Sequence, residues 1–349
     1  MNPSFTRFHS VSGCIAILLL TTSGCFSQDP NDPVAYLSTV NAEFGKISKE
    51  TMDYMSAVNH GKSARKVEKR RGELILQTKE SERTVRKLRP FKGDSKLRDS
   101  IANYFRMCNL VINEDYGKIV NLEEIAEQSY DAMEAYMLAK EKAGEKIGLA
   151  YDAADKEYKN FAAANNINLI ESDSKLGKRL EAVGKVNDYY DKLYLIFFKS
   201  YKNEAYLMDA LNKGNVSAIE QTRNALAASA EDDLKKIGPI AGFNGDVTLK
   251  NAAQQMLLFY KTEATTKIPA QVDYFLAKEK FEKIKKAIDT KNSASRSQAD
   301  IDNYNAAISD FNEKVKKSNQ TNEELNKKRT TLLKNWNEAS QSFLDNHTP

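Results

Sequence analysis

The chain has 349 residues, 41% of them apolar and 29% charged, with only 7 Pro, 15 Gly and 3 Cys. Few breakers among many Ala, Lys, Glu, Asn and Leu favour long helices over sheet, and the length suffices for one large core or two smaller ones. The net charge of +4, which becomes +3 once Arg7 is lost with a leader, is too mild for a nucleic-acid-binding domain.

The first 24 residues read as a secretory signal. Arg7 is their one formal charge, Val11 to Leu20 form a short apolar run, and Thr21-Thr22-Ser23-Gly24 lead into Cys25. That run is too short to span a bilayer and remain there. Small residues followed by a cysteine resemble the lipobox of bacterial lipoproteins, with Thr22 at the position usually taken by Leu. The resemblance implies that the Cys25 thiol takes a diacylglycerol, that cleavage falls before Cys25, and that the new amino group is acylated, giving the several chains stable anchoring requires. Phe26 in place of Asp implies the outer membrane. Two prolines, Pro30 and Pro33, and no periodicity make the segment after Cys25 a tether, whose reach at about 3.3 Å per residue is roughly 26 Å. Cys14 leaves with the signal and Cys25 carries lipid, so Cys108 is the only remaining thiol and no intrachain disulfide can form.

From Leu37 the apolar positions Val40, Phe44, Ile47, Thr51, Tyr54 and Val58 alternate steps of three and four, a bundle seam closed by Asn59-His60-Gly61. A second helix carries Val67, Arg71, Leu74, Thr78, Ser81 and Val85, polar in its middle and stopped by Pro90. A third begins near Ser95 with Leu97, Ile101, Tyr104 and Cys108 inward. A long helix starts near Leu122 and carries Met133, Tyr136, Ile147 and Tyr158. Residues 167–174 lose periodicity and mark a linker. The next helix holds Tyr189, Tyr190, Leu193, Tyr194, Phe197, Phe198 and Tyr201, apolar over more than one stripe and therefore central. Ser217 with Glu220 reads as a capping box for the following helix, which ends before Pro239. A further helix starts after Asp246 and bends or restarts at Pro269. The last keeps one register from Ile301 to Phe343, interrupted by Ser318, Asn322 and Arg329, which read as register-setting polar residues.

Two stretches echo each other. Pro90, Gly93-Asp94 and Leu97 match Pro239, Gly245-Asp246 and Leu249, and Tyr136 with Leu138-Ala139-Lys140-Glu141-Lys142 matches Tyr274 with Leu276-Ala277-Lys278-Glu279-Lys280. The separations differ (90 to 239, 94 to 246, 138 to 276), as a divergent internal duplication with insertions would produce.

No catalytic signature emerges. The mature histidines are His60, in a turn, and His347, near the end, which argues against a nucleophile–histidine relay. Ala57 and Leu344, not Glu, precede them by three, so the di-iron Glu-x-x-His pair is absent. Ser63 follows His60 by three, so the Gly-x-His-x-x-Glu motif of imelysin-like lipoproteins is missing too. Asn113, Asp115 and Glu124 have calcium-loop spacing, but Lys118 stands where that loop needs glycine. Carboxylates lie beside lysines on charged helix faces, where solvated pairs explain them.

One stripe remains. Arg65, Lys66, Lys69, Arg70, Arg71, Arg83 and Arg86 outnumber the acids of their helix, and close to a membrane they could meet anionic lipid headgroups or acidic glycans. The expectation is therefore an all-α protein with residues 1–24 as signal, 25–33 as lipidated cysteine and tether, 34–166 as a first bundle, 167–174 as linker and 175–346 as a second bundle. It resembles the helical surface lipoproteins of bacteria. Its expected role is binding or scaffolding in the envelope without turnover or cofactor, with the membrane as one partner, an anionic lipid, glycan or protein as another, and no nucleic acid. Two alternatives are a carboxylate enzyme acting on envelope polymers, marked by two acids converging in a desolvated pocket, and a carrier with an apolar tunnel at Tyr190 and Phe197.

Overall fold

The computed structural model describes residues 32–115, 128–169 and 174–349. The signal, Cys25, the tether up to Asn31, Lys118 and Glu124 of the calcium-loop reading, the expected helix start at Leu122 and residues 170–173 of the linker lie outside the described residues.

Asp32 starts the first helix, α1 (Pro33–Asn59). Its carboxylate accepts from Val34 N at 2.8 Å, and Pro33 takes a first-turn position where its missing N–H costs nothing. Every seam residue named above from Leu37 to Val58 is buried, and Gly61 closes the turn at φ 58°. Then come α2 (Ala64–Arg86), α3 (Lys96–Leu110) and a single π turn at Val111–Asp115. The polar middle of α2 has partners: Thr78 meets Asn109 at 2.8 Å, and Ser81 donates to the buried Glu43 at 2.8 Å. Helix α4 (Tyr130–Ala164) is capped by Ser129, which accepts from Ala132 N at 3.1 Å.

Beyond it lie α5 (Lys175–Lys213), α6 (Val216–Ile237), α7 (Thr248–Thr262), a second π turn at Glu263–Lys267, α8 (Ile268–Asp289) and the 50-residue α9 (Gln298–His347). The cap of α6 is Asn215, which accepts from Ala218 N at 3.0 Å, and not the expected Ser217, which lies inside the helix. The amide side chain after the Gly214 turn reaches the orphan N–H first. The expected restart at Pro269 is the second π turn followed by α8. Among the described residues the only β pairing is two isolated bridges, so the fold is all-α. No described helix is long and apolar enough to cross a membrane.

The described residues form two compact units, one of those up to Asp191 together with 341–349 and the other of residues 192–340. The division falls inside α5 and α9 rather than at 167–174, because a 39-residue helix, roughly 58 Å long, outruns one core. Breaks in periodicity mark where helices end, not which core they serve.

In the first unit, Asn59 donates to Asn187 at 2.9 Å and to Thr348 at 3.0 Å, and the 3%-exposed Lys140 pairs with Asp191 at 2.8 Å. Its core includes Phe44 against Tyr104 and Phe105. In the second unit, Trp336 is 1% exposed and stacks on Phe197 with centroids 4.4 Å apart. Asp233 accepts from Ser200 at 2.7 Å. Trp336 is the only tryptophan in the chain, so its emission reports the second unit alone.

Each unit carries the same device ahead of its π turn. Phe91 and Asp94 exchange two backbone bonds of 2.9 Å across Lys92 (φ 50°) and Gly93 (φ 88°), and Phe243 and Asp246 do the same across Asn244 (φ 50°) and Gly245 (φ 89°). The aspartate then accepts from the N–H two residues on, at 2.8 Å in the first case and 2.7 Å in the second. A helix of 15 residues and a five-residue π turn follow in both. Positions 91, 96 and 111 thus correspond to 243, 248 and 263, a constant separation. Both glycines hold a conformation that costs any side chain, so Gly245→Ala is expected to destabilise the second unit by about 1–2 kcal/mol. Urea unfolding followed by Trp336 emission measures this.

Candidate functional site

Besides Asp233, three charged residues fall on inward seams of the second unit. Along α5, Leu193, Phe197, Ser200, Glu204 and Leu207 keep steps of three and four and are all buried. Along α7, Leu249, Ala253, Met256 and Tyr260 lead by the same steps to Glu263, the first residue of the π turn, which has no exposed surface. Along α9, Arg329 lies between Leu325 and Leu332.

These three meet. Arg329 Nε donates to Glu204 Oε1 and Arg329 Nη2 to Glu263 Oε1, while Nη1 reaches Asn326 Oδ1 at 2.6 Å. The guanidinium carbon sits 5.8 Å from the centroid of the Phe259 ring. Two carboxylates therefore share one cation in a dry setting. Burial pushes the Glu263 carboxyl up to about 7, the Glu204 charge pushes the same way, and Arg329 opposes both. Burial likewise raises Glu204 against the pull of Arg329. The wholly buried Tyr260 hydroxyl is raised well above its ordinary range by burial and then by Glu204.

The cluster is incomplete. Among the described residues neither Glu263 Oε2 nor the Tyr260 hydroxyl has a hydrogen-bond partner. A buried acceptor without a donor costs about 1–3 kcal/mol and requires an explanation. Glu263 also lines a groove of about 510 Å³. Leu258, Phe259, Leu325 and Leu332 give it apolar walls, and Lys267, bridged to Glu324 at 2.8 Å, lies with Lys328 among the lining residues. Leu258 is 53% exposed, an apolar side chain offered to the groove.

The π turn carries Glu263 to this place. A π turn inserts one residue into the helical ladder and is frequent at functional sites. Pro269 lies just beyond it and cannot donate to the carbonyl four residues back, which suits a widened turn. Neither π turn contains a proline of its own. In the first unit the position of Glu263 is taken by Val111, fully buried. The fold builds this turn with a valine, so the carboxylate is not a demand of the scaffold.

The basic stripe of α2 is divided. Arg70 pairs with Glu73 at 2.8 Å and Asp53 at 3.7 Å, Arg71 with Glu68 and, at 3.1 Å, with the carbonyl of Ile112, Arg86 with Glu82 at 2.8 Å, and Lys69 with Glu73 at 3.8 Å. Arg65, Lys66 and Arg83 are exposed with no carboxylate within 4.0 Å among the described residues. Cys108 is buried in the first core. Tyr190 and Phe197, expected to line a tunnel, are each 3% exposed, and neither lines the groove. His60 Nδ1 lies 2.9 Å from Asp345 Oδ1, an exposed contact of the first unit. Among the described residues no cluster of three His, Cys, Asp or Glu could hold a metal.

Sequence reading singled out Arg329 as a register device and passed over Glu204 and Glu263. The signal was present: both acids occupy inward seam positions, where a charge needs a partner. Reading the three seams together would have paired them. No family model, curated protein or solved structure matches the chain.

Proposed function

We propose that this chain is a lipid-anchored binding protein of the bacterial envelope, held at the outer membrane through Cys25 and working without turnover. Its binding site is the groove of the second unit. One observation carries this reading: Glu263, a buried carboxylate with one oxygen that has no donor among the described residues, is among the residues around an apolar-walled groove, at a position where the matching turn has Val111. The ligand that completes it has an apolar body and a hydrogen-bond-donating head. Arg329 offsets one of the two carboxylate charges, so an amine head balances the second. We read the two units as divergent copies, supported by the constant separation of their turns, helices and π turns.

Two measurements test this. Labelling cells with palmitate is expected to mark the chain and to fail for Cys25→Ala; an unlabelled wild-type protein rejects the anchor. A long-chain primary amine is expected to shift Trp336 emission and to bind better as pH rises through about 7, where Glu263 ionises and attracts the cation. Glu263→Gln should remove both the preference for amine over the matching alcohol and its pH dependence. Equal binding by the variant rejects the site.

A second reading, a carboxylate enzyme acting on envelope polymers, draws on the convergence of Glu204 and Glu263 and on a carboxyl titrating near neutrality. It is the weaker one, since Arg329 occupies both acids and only Glu263 lines the groove. Release of soluble fragments from envelope polymer, lost in Glu263→Gln, would favour it.

A further inference from the structure

The hairpin of the first unit and the matching hairpin of the second have the same backbone and different charge. Residues 83–98 hold seven Lys or Arg and one Asp, whereas residues 235–250, the corresponding stretch, hold three and one. In the first, Arg86, Lys96 and Arg98 are engaged by Glu82, Asp94 and Asp99. Arg83, Lys87, Arg89 and Lys92 are exposed, and among the described residues none has a carboxylate within 4.0 Å. Lys235 matches Arg83, but backbone geometry does not ask for Arg89 or Lys92. At φ 50° the second hairpin uses Asn244 where the first uses Lys92, and Ala241 stands where the first has Arg89.

This basic end is also the end where the tether arrives. Tyr36, in the first turn of α1, packs its ring 5.5 Å from Phe91 of the hairpin and 5.5 Å from Phe161, and those two rings lie 5.0 Å apart. The start of α1 at Pro33 is therefore fastened beside the hairpin. With a tether reach of roughly 26 Å from Cys25 to Pro33, a lipid on Cys25 would keep the hairpin within reach of the sheet that its acyl chains enter. Each Lys or Arg near an anionic surface adds about fivefold in affinity.

We propose that the end of the first unit formed by the α2 C-terminus and the Phe91–Asp94 hairpin is a docking surface for anionic lipid headgroups. Arg83, Lys87, Arg89 and Lys92 make the contact and orient the protein on its own membrane. The surface rests on the proposed anchor only for its location, and its affinity for lipid is measurable without acylation.

The test uses unacylated residues 26–349, which include every described residue, sedimented with vesicles of phosphatidylglycerol or of phosphatidylcholine. Binding to the former only, weakening with added salt, is expected. The variant Lys87→Gln, Arg89→Ala, Lys92→Asn takes the second hairpin's residues at the last two positions and an uncharged helix former at the first, and should bind roughly a hundredfold more weakly, with an unchanged circular-dichroism melt. A control losing three exposed lysines elsewhere, Lys316→Gln, Lys317→Gln, Lys327→Gln, should bind like the parent. No binding to anionic vesicles, an unaltered affinity in the hairpin variant, or an equal loss in the control overturns the proposal. Binding to a soluble acidic polysaccharide without binding to vesicles overturns it in favour of a glycan. Because acylation plays no part in the assay, its result is separate from that of palmitate labelling.

Discussion

Replacing Arg329 with methionine is expected to lower the stability of the second unit by about 3–5 kcal/mol at pH 8, the range for breaking a buried ion pair from one side. The loss has little to do with packing, since methionine fills a similar volume. It arises because Glu204 and Glu263 stay buried after the guanidinium has gone, and each must be either charged without a partner or protonated against the solvent pH. The deficit should therefore shrink below pH 4.5, where both carboxyls are neutral in the folded and the unfolded chain. Adding Glu204→Gln and Glu263→Gln to Arg329→Met should recover much of the loss at pH 8. Urea midpoints from Trp336 emission at the two pH values decide the matter. A deficit below about 1 kcal/mol at pH 8, or one that ignores pH, would show that the three side chains do not act as a buried ion cluster.

Glu263 should give the second unit a stability that declines across the weakly acidic range. In the unfolded chain its carboxyl ionises at the ordinary value of 4.5, and in the folded protein it keeps its proton up to about 7. Below pH 4.5 both states are protonated and the contribution is at its most favourable. Between pH 4.5 and 7 the unfolded chain has given up a proton that the folded one retains, so stability falls; above 7 both are ionised and the curve levels off. The full drop is about 3 kcal/mol. Glu204, raised in the same direction by burial, steepens the decline. Glu263→Gln removes the larger part of the slope while keeping the side-chain volume. A pH-independent Trp336 midpoint in the parent protein between pH 4.5 and 7 would refute the assignment. Such a slope is a cost that a purely structural core has no reason to carry, and an amine bound at Glu263 Oε2 would reverse it by stabilising the ionised form.

The helical layout was legible because it depends on the spacing of apolar residues. Leu37 to Val58 read as a seam and are buried as one. Ser95 and Asp246 mark helix starts within two residues, and Gly61 marks a stop. The hairpins could be seen only as an echo of Gly93-Asp94 in Gly245-Asp246. Bridge geometry fixes the correspondence at one separation, and the Pro90 and Leu138 matches, which gave other separations, do not align with it. The α6 cap was misplaced by two residues because Asn215 and Ser217 are both good caps and the choice is made by the turn at Gly214.

Composition and periodicity, read along a single chain, determined that this protein is helical and that its seams alternate steps of three and four. Tertiary structure alone decided that Arg329 faces Glu204 and Glu263, which lie 125 and 66 residues away in sequence. It also decided that Glu263 keeps one oxygen without a donor among the described residues and stands beside a groove, and that the two hairpins differ in charge where they agree in shape. The reason is physical: local spacing sets which face of a helix is inward, but the cost of a buried charge depends on what the neighbouring helices bring to it.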